Sequence, residues 1–240
     1  MTLRILSLFS IAFVAAIFVS GCKSNSTSPN GGGTAITPPN AGSYFIAVNT
    51  ETDSTGAVIS LDTEKNMVIL SNAAFYGKTG VTVFVDSDYQ NGLSPDTTYL
   101  KYESTGDVEE YAGSSGNSSF NATGWITLPF GSQSSATLVN TDTTLGFGVH
   151  GRITEGVSGA GTGNVTVEGE SFYVNKVNLQ VSIIDTASAP TFVISSISFT
   201  TTASFAPALG YIVETDQPAY RTDGELNPSI HGQMISYHLQ

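Results

Sequence analysis

Few side chains in this 240-residue sequence combine a reactive type with a useful spacing. Asp86-Ser87-Asp88-Tyr89-Gln90-Asn91-Gly92 places oxygen donors at alternate positions, as loops that wrap calcium do. Asp86, Asp88 and Asn91 are the candidate ligands. The glycine comes one residue late and Thr97 stands where a bidentate acid belongs, so an ordinary turn competes with calcium. His150, His231 and His238 are spread along the chain without HExxH or comparable spacing, and no histidine metal site is expected. Gly156-Val157-Ser158-Gly159-Ala160 lacks the last glycine of a nucleophile elbow and its strand-to-helix context. Gly156, Gly159, Gly161 and Gly163 could cradle phosphate only with a helix start behind them. Residues 164–168 read instead as strand, which makes the glycines a flexible hairpin tip. Glu109-Glu110 and Glu51-Thr52-Asp53 read as solvated charge, and spacing assigns no acid pair to general acid-base work. The expectation is a protein without catalytic residues or cofactor, calcium being the one candidate ion. Tyr99, Tyr102, Tyr111, Trp125 and Phe130 crowd one stretch, and aromatic faces on a sheet can stack on sugar rings. Tyr99, Tyr102 and Trp125 form the candidate ligand platform. The competing assignment puts Trp125 and Phe130 in the core of a strand that Pro129 ends.

The remaining reactive group is the thiol of Cys22, the only cysteine. Arg4 precedes a largely apolar run over residues 5–19, too short for a comfortable membrane span of about 20 residues and suited to the core of a secretory signal. The run ends Val19-Ser20-Gly21-Cys22. This resembles the bacterial lipobox, in which cleavage before the cysteine follows diacylglycerylation of its sulfur. The resemblance implies cleavage between Gly21 and Cys22, a lipidated Cys22 carrying acyl chains such as palmitate, and membrane anchoring through them. A chance cysteine beside an ordinary signal, or an uncleaved anchor, would not explain why the sole cysteine sits at that boundary. In the resembled family an Asp after the cysteine retains the protein in the inner membrane, so Lys23 implies the outer membrane, on its periplasmic or its surface face.

Composition fits that address. With residues 1–21 removed, seven basic side chains face twenty acidic ones, a net charge of −13. The basic residues are scattered singly, so nucleic acid is not a partner. One cysteine allows no internal disulfide. Residues 22–42 are rich in Ser, Asn, Gly and Pro and read as a disordered tether. Its root-mean-square reach of roughly 25 Å exceeds a Debye length of about 8 Å.

Residues 43–240 read as one β domain. Apolar runs at 44–48, 57–61, 67–70, 81–85, 99–102, 125–128 and 136–139 are punctuated by Gly, Asn, Asp and Ser, and no window keeps a helical period. Val177, Leu179, Val181 and Ile183 alternate with Lys176, Asn178, Gln180 and Ser182, which predicts a long strand over 172–185 with one buried face. A second long segment over 191–206 changes phase, which predicts a β-bulge near Ser195 and Ser196. About a dozen antiparallel strands are expected, in a single curved meander, half-barrel, or partly open barrel or sandwich with few or no helices. Most strands look shorter than the 9 to 11 residues that a transmembrane barrel needs throughout.

Phe205-Ala206-Pro207-Ala208-Leu209-Gly210-Tyr211 joins a long strand to a short one through an aromatic-Ala-Pro bend and a glycine. It is similar to the closing hairpin of β-rich bacterial lipoproteins whose curved sheet looks like the lipoprotein-localisation half-barrels. The resemblance implies a concave apolar face, although this chain offers no clear lid helix. The expected function is a lipid-anchored envelope protein whose β domain binds an apolar ligand or a glycan. A scaffold that binds another envelope protein is the alternative, and a hydrolase the third.

Overall fold

The computed structural model describes residues 35–86, 97–112, 124–144, 150–187, 197–222 and 225–240, and these are strand, turn and bend without helix. The strands are β1 (Tyr44–Thr52), β2 (Val58–Phe75), β3 (Lys78–Asp86), β4 (Thr97–Tyr102), β5 (Val108–Ala112), β6 (Gly124–Leu128), β7 (Ser135–Thr144), β8 (His150–Val167), β9 (Glu170–Ala187), β10 (Ile197–Ala206), β11 (Tyr211–Gln217), β12 (Arg221–Thr222), β13 (Glu225–Leu226) and β14 (Ser229–His238). Twelve form one antiparallel sheet in the order β6-β5-β4-β3-β2-β1-β14-β11-β10-β9-β8-β7, and β12 pairs with β13 alone. The curved antiparallel meander expected from the sequence is what the chain forms.

This strand order accounts for the shape. The edge strands β6 and β7 are consecutive in the chain and only residues 129–134 separate them, so the sheet curls until its edges nearly meet, almost closing a barrel. Two side chains hold that seam. Asp107 Oδ1 accepts the backbone N–H groups of Gly131 and Ser132 at 2.9 and 2.8 Å. Gln133 donates through Nε2 to the carbonyls of Phe130 and Lys176 at 2.7 and 3.2 Å, and its Oε1 accepts the Gly161 N–H at 2.8 Å.

The concave face is packed by side chains from both arms of the sheet. Phe45, Phe84, Phe130, Phe205, Leu128, Leu209 and Met234 are fully buried. Phe130 stacks on Phe205 at 4.8 Å between ring centroids, and Tyr211 on Phe45 at 4.6 Å. Ile153, Ile183, Ile197 and Phe199 make a second, smaller cluster. Strand lengths correct one expectation, because β1, β2, β3, β7, β8, β9, β10 and β14 all have nine residues or more. Length therefore argues against a membrane barrel only through β4, β5, β6 and β11, which stay shorter. Polarity argues against one as well, because an apolar interior with ion pairs Lys78–Glu109 and Lys176–Glu214 on the outside inverts the arrangement that lipid requires.

The glycine-rich stretch is a second correction. Residues 156–163 lie inside β8, hydrogen-bonded along β9, and the hairpin tip is Glu168-Gly169, with φ of +51° and +84°. The ladder shifts register between Gly159 and Thr162, and Gly161 absorbs the bulge at φ +85°. A Cβ on Gly159 would lie 2.6 Å from Gln133 Cα, so glycine there lets the seam loop cross the strand. The runs at 57–61 and 67–70 also merge into β2, because pairing with β1 carries the strand through the polar residues between them. The described part of the segment read as a tether lies against the sheet: Ile36 packs on the core and the Thr37 N–H donates to Pro207 O at 2.9 Å. Ser195 and Ser196 lie outside the described residues. From Ile197 to Phe205 the buried apolar residues of β10 keep one phase.

Candidate functional site

Alternation along β4, β5 and β6 decides which aromatics meet. Leu100, Val108, Ile126 and Leu128 turn inward and are buried, which leaves Tyr99, Tyr111 and Trp125 on the outer face, with Tyr111 directly opposite Trp125 in the ladder. The β2–β3 hairpin adds Phe75 and Tyr76 to this face. Phe75 stacks on Tyr99 at 3.6 Å with 6° between ring planes, and Tyr76 on Tyr111 at 4.5 Å and 25°. The Trp125 indole N–H donates to Tyr76 O at 3.2 Å. Lys78 Nζ lies 5.1 Å from the Trp125 ring centroid and pairs with Glu109, while Lys101 pairs with Glu103. The hydrogen bond from Lys101 holds the Glu103 carboxyl below the usual glutamate range.

Tyr76 is the most open of these rings, 68% exposed. Its backbone is unusual, with φ of +40° followed by +79° at Gly77, the two positive values of a tight hairpin turn in which Asn-Gly is the favoured pair. Tyrosine at the first position costs about 1 kcal/mol.

Of the platform residues taken from the sequence, Tyr99 and Trp125 share this patch and Tyr102 does not. Three residues from Tyr99 on the same strand, Tyr102 faces inward and donates its hydroxyl to Gly210 O at 2.8 Å. Burial raises its pKa. Phe130 is wholly buried. Glu110, opposite Leu100 on the inner face, is pushed up to about 7 by burial. Burial first, and then the charges of Tyr102, Glu64, Asp86 and Glu110, raises the Tyr211 hydroxyl. Asp86 ends β3, while Asp88 and Asn91, and likewise Gly21 and Cys22, lie outside the described residues.

A second group gathers on the outer face of the central strands. Glu214 and Asp216, two apart on β11, share a face, and register sets His231 of β14 directly across from Asp216. The candidate ligand atoms of Glu214, Asp216 and His231 lie within 4.8 Å of one another. His231 Nδ1 is 2.6 Å from Asp216 Oδ1. The chain passes through β12 and β13 between these strands, so linear spacing hides the proximity.

No family model matches the chain. No curated protein matches it either. A crystal structure of a Parabacteroides distasonis protein, described provisionally as a lipoprotein, is similar over 84% of this chain and 97% of that chain, at 12% identity and a TM-score of 0.43. Similarity at that level transfers no activity or ligand.

Proposed function

We propose that this chain is a lipid-anchored, non-enzymatic protein of the bacterial outer membrane whose β domain binds glycan on the outer aromatic patch. The observation that carries the binding reading is the patch itself. Phe75, Tyr76, Tyr99, Tyr111 and Trp125 converge from four strands and one turn, with Tyr76 open to solvent beside the Lys78–Glu109 pair. Rings offer apolar faces to the C–H surface of a sugar, and the charged pair supplies hydrogen bonds to hydroxyls. The packed concave face favours glycan over an apolar ligand. Anchoring rests on Val19-Ser20-Gly21-Cys22, and the outer-membrane address on Lys23.

A glycan array probed with the full-length protein in detergent tests binding, and the absence of any saturable signal overturns it. Palmitate labelling in cells tests the anchor. The parent should take up label and fractionate with membranes, whereas Cys22→Ala should do neither; equal behaviour of the two refutes lipidation.

A scaffold is the second reading, favoured by β2. Val58, Ile59, Leu61, Met67, Ile69 and Leu70 are between 41% and 65% exposed on that one strand. Crosslinking in cells from Leu61 should then recover a specific envelope protein.

A further inference from the structure

We propose that Glu214, Asp216 and His231 form a binding site for a divalent transition-metal cation of the zinc type on the outer face of the sheet. The three candidate ligand atoms lie within 4.8 Å of one another, so one ion can reach all three with small side-chain rotations. Two carboxylates alone would describe any acidic surface. The imidazole nitrogen is what narrows the chemistry, since nitrogen donors favour zinc and its neighbours over calcium and magnesium. Coordination by two carboxylates and one imidazole leaves a position for water, and Asp216 and His231 are open enough to admit it, with side chains 57% and 44% exposed.

The scaffold holds these donors in place. All three stand on strands in the middle of the twelve-stranded sheet, which fixes them better than a loop would. Gly232, the neighbour of His231, keeps β14 close to its partners, because a Cβ there would lie 2.7 Å from Asn49 Oδ1 and closer still to Thr215 Oγ1. Glu214 is oriented by Ser204, whose hydroxyl donates to Oε2 at 3.1 Å, and by the Lys176 ammonium at 3.5 Å. Hydrogen-bonded neighbours of this kind orient metal ligands. Lys176 also brings a positive charge that a cation must displace, so the lysine lowers affinity as it positions the carboxylate. The site is independent of the aromatic patch and of the glycan reading.

The test is calorimetric titration of untagged, metal-stripped full-length protein in detergent with zinc, and separately with calcium and magnesium. Zinc should bind at one equivalent and at least about tenfold more tightly than either hard cation. His231→Gln and Asp216→Asn should each weaken zinc by at least about tenfold, and Lys176→Gln should tighten it severalfold. Exposure of Asp216 and His231 makes these variants safe for folding, which thermal melts of each would check. A shift of the His231 ring resonances on zinc addition, read by NMR on the parent protein, gives a measure that needs no variant. Any of three results overturns the proposal: no saturable zinc binding below millimolar concentration, calcium binding as tight as zinc, or full zinc affinity in His231→Gln.

Discussion

Replacing Glu110 with glutamine should stabilise this domain at alkaline pH and do little at acid pH. Glu110 sits between Leu100 and Ile126 on the packed face of the sheet, and burial pushes its pKa to about 7 from an ordinary value of 4.5. A carboxyl whose pKa is raised by folding adds its full stability below 4.5, where both states hold the proton. That contribution is lost as pH climbs from 4.5 through 7, because over that interval the unfolded chain releases the proton that the buried carboxyl retains. At 1.36 kcal/mol per pH unit the loss reaches at most about 3 kcal/mol by pH 8.5. Part of the side chain meets solvent, which trims the figure toward about 2 kcal/mol. Glutamine keeps the shape and removes the charge. Urea unfolding of parent and Glu110→Gln at pH 4, 5.5, 7 and 8.5 isolates the effect, because other carboxylates titrate alike in both proteins. The difference in unfolding free energy should be flat below about pH 4.5, grow in favour of the variant between about pH 4.5 and 7, and level off above 7. A difference that stays constant over the range would refute the burial argument.

Three further substitutions test the seam and the patch. Gly131→Ala puts a Cβ 2.7 Å from Gly106 Cα and closer to the Thr105 carbonyl oxygen; backbone cannot yield as a side chain does, so chemical denaturation should show a loss of about 2–4 kcal/mol. Gln133→Ala removes three hydrogen bonds, one within the seam loop and two from it to β8 and β9, and should cost about 2–3 kcal/mol, whereas Gln180→Ala on the exposed side of β9 should stay within about 0.5 kcal/mol. Tyr76→Asn relieves a turn cost of about 1 kcal/mol and forfeits ring contacts of similar size, so its unfolding midpoint should barely move while the glycan signal disappears; a retained signal would place the contact elsewhere on the patch.

Where alternation was clean, the sequence was a faithful guide. Val177, Leu179 and Ile183 face the core as their spacing requires, and β9 exceeds the predicted 172–185 by two residues at each end. The same rule separates Tyr99 from Tyr102, since an odd separation on a strand means opposite faces. Grouping the two by sequence proximity overlooked it. Other features depend on pairing that no local pattern announces. The Asp62-Thr63-Glu64-Lys65-Asn66 run looks like a turn, yet it continues β2, with Glu64 opposite Ala47 and Asn66 opposite Phe45. Glycines 156–163 look like a tip because β8 there has few side chains to show a period, and β9 supplies the missing hydrogen bonds. His231 meets Asp216 only because β14 returns past a small hairpin to lie beside β11.

The nearly closed form of the sheet bears on how an anchored protein would associate. A lipid anchor would confine many copies to one surface, where an open sheet edge is a template for pairing with a neighbour. Here β6 and β7 are the edges, and the short loop between them, held by Asp107 and Gln133, keeps the two edges close to one another. With a single cysteine no disulfide can guard that closure, which puts the task on a few polar side chains and on Gly131, where a larger residue would force the seam apart. Exposed apolar area is instead concentrated on β2, on strand faces rather than on strand edges. Side-chain contacts on β2 are therefore the expected route of association. Charged substitutions at Leu61 and Leu70 should abolish it and leave the fold intact.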